Sequence, residues 1–223
     1  MAATDDVEQR KRAAALHAAA EIHDGMRVGL GTGSTVAYLL PAVAARGLSI
    51  RCVATSVRTE DAARSLGLDV ESFDGPGALD RLDLAIDGAD QVDDAGWVVK
   101  GGGGAHTREK RVAAAADRVL IIVDDGKLVD RVHTPIPLEL MAFGLAATMR
   151  DLGSVTLRDM ARSPDAGLIA DLHGALDDPA LLASRLDATP GVVAHGLFAP
   201  SMISEVFIGV VSGDVERRDI TAP

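Results

Sequence analysis

A chain of 223 residues with 33 acidic against 22 basic side chains carries a net charge of −11, which argues against a nucleic-acid or anionic-membrane partner, since both require a positive face. Hydrophobic residues make up 48 % but aromatics only 3 %, so the core must be built from Val, Leu, Ile and Ala, a composition that suits parallel strands covered by helices. Cys52 is the only cysteine, which excludes an intrachain disulfide and fits a reducing compartment.

The opening "MAATDDVEQRKR" is charged throughout and lacks the apolar centre of a signal peptide. The longest apolar stretch, Val36 to Ala45, is about half of the ~20 residues a membrane span needs. A soluble, cytoplasmic protein is expected. An Ala-rich helix is predicted from Asp5 to His23, stopped by Gly25. "MRVGLG" reads as a buried strand, and "VAYLLPAVAARG" as a helix kinked at Pro41. A strand "SIRCVATS" and a helix "TEDAARSLG" follow, then "LDVESF" as a further strand, a "DGPG" turn and the strand "LDLAID". "WVVKGGGG" runs extended into a glycine loop, "TREKRVAAAA" is helical, and "RVLIIVDD" is a continuous apolar strand. Strands alternating with helices at this spacing predict βαβ units and a parallel sheet.

The texture changes near Val132. "HTPIPLEL" carries two prolines, and a helix, two strands, a helix and a strand follow in "AFGLAATMRDLG", "SVTLRDM", "GLIADLH", "PALLASRLDAT" and "GVVAHGLF". These make a compact α+β unit of roughly 70 residues. "EVFIGVVSG" reads as a strand returning to the first sheet. The expected division is 1–131 with 204–223 for one domain and 132–203 for the other.

In open parallel sheets, ligands bind beyond the carboxyl ends of the strands. The polar motifs fall at such ends: "GTGST" after the first strand, Thr55 and Ser56 after the second, "DGAD" (Asp87 to Asp90) after "LDLAID", and Lys127 after "RVLIIVDD". "GLGTGST" can present backbone N–H groups to an anion at a helix start, with hydroxyls from Thr32, Ser34 and Thr35. Its spacing is G-x-G-x-G rather than the dinucleotide fingerprint, and the second strand ends in Thr and Ser where an NAD site wants an acid. There is no G-K-[ST], so it is not an ATP loop. The plain alternative is a helix-capping turn. "DGAD" sets two carboxylates three residues apart, suited to a shared substrate or a magnesium ion, or to an ordinary Asp-rich turn.

"KGGGGAHTREK", residues 100 to 110, sets four glycines against dense charge. Thr107 is expected to cap a helix beginning at Arg108, with Glu109 in its first turn, ionised by the helix dipole and a candidate general base. Lys100 suits a developing oxyanion, and the glycines let the loop pass close to a substrate. An acid in a first turn is also common helix design. The remaining histidines are scattered; His106 alone sits in the loop, and Lys11 on its own reads as a solvated helix charge.

Together "GLGTGST", "ATSVRTEDAARSLGL", "AIDGADQVD", "KGGGGAHTREK" and "IIVDDGKLV", with weaker matches in "PIPLEL", "DLHG", "PGVVAHGLF" and "VFIG", resemble the ribose-5-phosphate isomerases of the A type from about Lys11 to Gly209. The resemblance implies a Rossmann-like α/β domain with helices on both faces of a mostly parallel sheet, plus a small ferredoxin-like domain. It implies a cofactor-free, metal-free aldose–ketose isomerase that interconverts ribose 5-phosphate and ribulose 5-phosphate as a homodimer or homotetramer, within the pentose phosphate pathway. Glu109 then matches the base that moves a proton through an enediolate, and Lys100 the group that stabilises the enediolate oxygens. Asp87 and Asp90 match acids that contact sugar hydroxyls and help open the ring. Thr32, Gly33, Ser34 and Thr35 match the substrate loop, with Gly88, Gly101 and Gly103 beside the substrate. Lys127 and Lys11 match basic residues around the phosphate. The sequence departs from the family's pattern at His106, where an apolar residue is common, at Pro41, and in "APSMISE". CoA-transferases and sugar-phosphate deaminases share the fold type without the full motif set. A sugar-phosphate sensor of a transcription regulator would need a DNA-binding domain ahead of Gly29, where little chain precedes it, and would bind the sugar without turning it over.

Overall fold

A computed structural model describes residues 2–220. In chain order the elements are α1 (Ala2–Ala20), β1 (Arg27–Leu30), α2 (Val36–Ala44), β2 (Arg51–Ala54), α3 (Val57–Ser65), β3 (Leu84–Asp87), β4 (Gln91–Asp93), β5 (Val98–Val99), α4 (His106–Ala114) and β6 (Val119–Asp124). They continue with β7 (Leu128–Val129), β8 (Ile136–Leu140), α5 (Leu145–Leu152), β9 (Val155–Leu157), β10 (Leu168–Leu172), α6 (Pro179–Asp187), β11 (Val192–His195), β12 (Leu197–Phe198), β13 (Glu205–Gly209) and β14 (Val215–Asp219).

Six strands form the main sheet in the order β14-β13-β6-β3-β1-β2. All neighbours are parallel except β14, which closes one edge antiparallel to β13. Its central strands β3, β6 and β13 are buried along their whole length, as crossover helices require, whereas the edge strand β14 is largely exposed. Along β6, Leu120 and Ile122 join a core with α1 and α2, while Val119, Ile121 and Val123 join a second core beneath α4. The strand expected to return to this sheet is β13, and it lies beside β6.

The βαββαβ run from β8 to β11 forms a separate antiparallel sheet, ordered β11-β8-β10-β9. That is the split-βαβ, ferredoxin-like arrangement. A third sheet, β12-β5-β4-β7, was not anticipated. Its strands are two or three residues long, too short for a period-2 pattern, and it joins the glycine-loop segment to the other elements.

One local expectation changes, while the helix through Pro41 and the turn in "APSMISE" are present as read. "LDVESF" contributes only a bridge between Val70 and Cys52 rather than a strand. α2 runs on through Pro41. "APSMISE" holds a single 3-10 turn, Pro200–Met202. No helix among the described residues is long and apolar enough to cross a membrane.

Candidate active site

The carboxyl ends of β1, β3 and β6, the start of α2 and the glycine loop enclose a cleft with about 560 Å³ of empty space. Its walls include Thr32 to Thr35, Gly88, Asp90, Lys100 to Gly103, Glu109 and Lys127. Motifs spread over almost a hundred residues therefore meet at one place.

At the floor lie Lys100 and Glu109, with Asp87 against Lys100 behind the lining; their relative exposures are only 3 %, 5 % and 7 %. Lys100 Nζ stands 3.1 Å from Asp87 Oδ1 and 3.2 Å from Glu109 Oε2, and donates to the Gly88 carbonyl. Asp87 Oδ1 also accepts the backbone N–H groups of Thr32 at 3.0 Å and Gly88 at 2.7 Å. Gly31 must be glycine for this geometry, because a Cβ there would collide with the Asp87 carboxylate. Gly31→Ala is expected to leave a folded protein with kcat/KM lowered at least 10-fold, of the order a small misplacement costs, read in a steady-state assay beside a thermal melt.

The Glu109 carboxyl is pushed up to about 8, first by burial and then by the Asp87 charge, with Lys100 pulling the other way. Ala85, Val112, Val119 and Phe198 wall off that end of the site and supply the desolvation. Asp87 is raised too, by burial acting against Lys100 and the two N–H donors. Lys100 is raised because Asp87 and Glu109 outweigh the burial that opposes its charge. Asp87 accepts more hydrogen bonds than Glu109, so of the two carboxyls Glu109 is the one that keeps its proton more readily. Burial and the Asp87 charge thus oppose the ionisation expected of a first-turn glutamate. A correction concerns the cap. α4 begins at His106, its N-cap residue is Ala105, and the Thr107 hydroxyl bonds Glu139 on β8 instead.

The remaining predicted residues divide. Gly33, at φ +133, and Ser34 line the cleft where α2 begins, as do Gly101 and Gly103. Thr32 lines the cleft too, with its hydroxyl bonded to Thr55 and Ser56, both at 2.8 Å. Thr35 is buried. Asp90 accepts the Gly102 N–H at 2.7 Å. Lys127 reaches the cleft, whereas Lys11 is paired with Glu8 at 2.8 Å and is absent from the cleft lining. His106 lies fully buried under Gly101, neutral, with its ring lowered to about 3 by burial and nearby cations. One cleft cation was missed from sequence. Arg58 follows the Ser56 cap of α3, two residues beyond the Thr55–Ser56 strand end that had been singled out.

Residues 51–213 match the family model for ribose 5-phosphate isomerase A (phosphoriboisomerase A). The chain belongs to the ribose 5-phosphate isomerase A family. A ribose-5-phosphate isomerase A of Halobacterium salinarum is 41 % identical, covering 95 % of this chain and 96 % of its own. The crystal structure of ribose 5 phosphate isomerase A from Neisseria gonorrhoeae superposes with a TM-score of 0.90 at 29 % identity, over 97 % of this chain and 98 % of that one. A D-ribose-5-phosphate isomerase in complex with phospho-erythronic acid gives a TM-score of 0.88 at 32 % identity, over 96 % and 99 %. The isomerase A fold thus accounts for both the mainly parallel sheet and the smaller antiparallel ones, and the chain is an enzyme with the family's ribose-5-phosphate isomerase activity.

Proposed function

We propose that the chain interconverts D-ribose 5-phosphate and D-ribulose 5-phosphate by proton transfer through an enediolate, with Glu109 as the base. The observation that carries this reading is the buried Glu109–Lys100–Asp87 cluster at the floor of the cleft, with the Glu109 carboxyl 3.2 Å from the ammonium and raised by burial. A sugar α-proton is very weakly acidic, so its removal needs a held base and positive charge at the oxygens. The Glu109 carboxylate takes the proton from C2 of the open-chain aldose. The C–H electrons become the C1–C2 double bond, and the C1 carbonyl pair moves onto oxygen beside Lys100. Glu109 then returns the proton to C1, while the C2 hydroxyl proton passes to O1 and C2 becomes the carbonyl. Asp87 and Asp90 contact the sugar hydroxyls and assist ring opening. The oxidation of C2 is matched by the reduction of C1, so the step needs no external oxidant or reductant, and the proposal assigns it no cofactor and no metal.

The opposite end of the cleft suits the phosphate. Gly33 and Ser34 bring backbone N–H groups to the start of α2, and Arg58 and Lys127 bring charge. Lys127→Ala is expected to raise KM for ribose 5-phosphate about 10- to 100-fold, the worth of a charge-assisted hydrogen bond, while kcat for unphosphorylated ribose stays unchanged. Equal losses on both sugars would put Lys127 elsewhere. Lys11 supports this end only indirectly, from α1.

The division of labour supports two units, 1–131 with 204–223 holding the acids and phosphate groups, and 132–203 packing over the glycine loop. A homodimer or homotetramer in the cytoplasm completes the proposal. Its direct test is ketose formation from ribose 5-phosphate with EDTA present, inhibited by phospho-erythronic acid, which carries a carboxylate where the enediolate would form. Competitive inhibition supports the reading; sugar binding without turnover would favour a sensor.

A further inference from the structure

Four successive glycines have no side chains with which to hold themselves, yet Gly101 (φ +108) and Gly104 (φ +74) keep defined left-handed conformations. Among the described residues two side chains bond the backbone of this loop. Asp90 takes the Gly102 N–H from the cleft side. From the other side, Arg158 Nη1 donates to the carbonyls of Gly101 at 2.8 Å and Gly102 at 3.0 Å. Arg158, directly after β9, is itself fixed by a bidentate pair with Asp171 on β10, with Nε and Nη2 at 2.8 Å and 2.7 Å from the two carboxylate oxygens. Both side chains are mostly buried. A guanidinium can make all four bonds at once because its donors form a rigid planar fork.

The consequence follows from the trans peptide, whose C=O and N–H point in opposite directions. Fixing the Gly101 carbonyl aims the Gly102 N–H at Asp90, as observed. Fixing the Gly102 carbonyl aims the Gly103 N–H the other way, and Gly103 lines the cleft with that N–H free of any hydrogen bond among the described residues. We propose that Arg158 and Asp171 are positioning residues for the isomerisation, holding the glycine-loop N–H groups in the orientation that receives a substrate or enediolate oxygen. This rests on the isomerase reading of the cleft.

The test is Arg158→Ala, Arg158→Lys and Asp171→Asn, each with a thermal melt, kcat and KM, and the inhibition constant of phospho-erythronic acid. Arg158→Ala is expected to lower kcat/KM about 10- to 100-fold, the scale of a misplaced donor. The inhibition constant should rise in proportion across the series. Arg158→Lys recovers only part of the loss, because an ammonium with three donors cannot replace a two-point pair with Asp171 and two carbonyl bonds at once. Asp171→Asn, which leaves the guanidinium present, falls between and guards against a misfolded alanine variant. Wild-type kcat, KM and inhibition in a folded Arg158→Ala protein overturn the proposal. So does a loss of activity that disappears once it is counted per folded molecule. Glu109→Gln is run alongside: if it stays active while the Arg158 series loses rate, the base is misassigned but the loop device stands.

Discussion

Replacing Glu109 by Gln is expected to lower kcat about 10³-fold while leaving the affinity for phospho-erythronic acid within a few-fold of wild type, since general-base catalysis contributes about 10²–10⁴ and the amide keeps the shape. The pH dependence gives a second reading of the same group. The active form is the carboxylate, and its acid is held up to about 8. Wild-type kcat/KM therefore climbs with pH and levels off above about 8; activity is lost as pH falls through that value. An additional limb near pH 6, where a phosphate monoester takes up its second proton, belongs to the substrate. Stability moves the opposite way. A carboxyl whose folded value lies above its unfolded 4.5 takes up a proton on folding, so its contribution is complete below about 4.5 and is lost as pH rises through about 8. Melting temperatures of wild type should thus fall relative to Glu109→Gln between about pH 5 and 8. An activity profile unchanged in the variant, or melts that run parallel across that window, would remove Glu109 from the role of base.

The placement of the site was legible because a parallel sheet sends its ligands to its carboxyl edge, and the chain sets its glycines, hydroxyls and acids just there. Asp87 was visible as the last residue of an apolar strand, and the glycine run was visible as a cost that only a ligand or a close approach repays. The protonation state of Glu109 was not legible. It depends on Phe198 and Val119, which come from β12 and β6 and reach Glu109 only through tertiary packing. The Thr107 cap failed for a related reason, since a competing acceptor, Glu139, arrives from the antiparallel sheet. "LDVESF" has strand-like alternation, but Arg51 and Glu71 meet as an exposed ion pair at that edge, and only Val70 reaches a bridge. Local pattern fixed which residues mattered; distant neighbours fixed what state they are in.

Lys100→Met carries the second large effect, and its size changes with pH in an informative way. Removing the ammonium takes away the positive charge beside the developing oxyanion, so kcat should fall about 10²- to 10³-fold. It also leaves Asp87 and Glu109 buried with no cation between them. Breaking a buried pair costs about 3–5 kcal/mol when the surviving charge has no escape. Here it has one, because Glu109 already holds its proton readily and would hold it more firmly without Lys100, whose pull is the main force lowering its pKa. The variant is therefore expected to melt close to wild type near pH 6, with Glu109 protonated, and well below it at pH 9. Its residual activity should need more alkaline solution than wild type, with the midpoint of kcat/KM moved above 8. Lys100→Arg should not restore the rate: the ammonium serves Asp87, Glu109 and the Gly88 carbonyl from one point, a geometry that a planar fork with a larger head cannot copy in so closed a pocket. A Lys100→Met protein with the wild-type pH midpoint would mean that Lys100 and Glu109 do not share one electrostatic site, and the assignment of both roles would fail together.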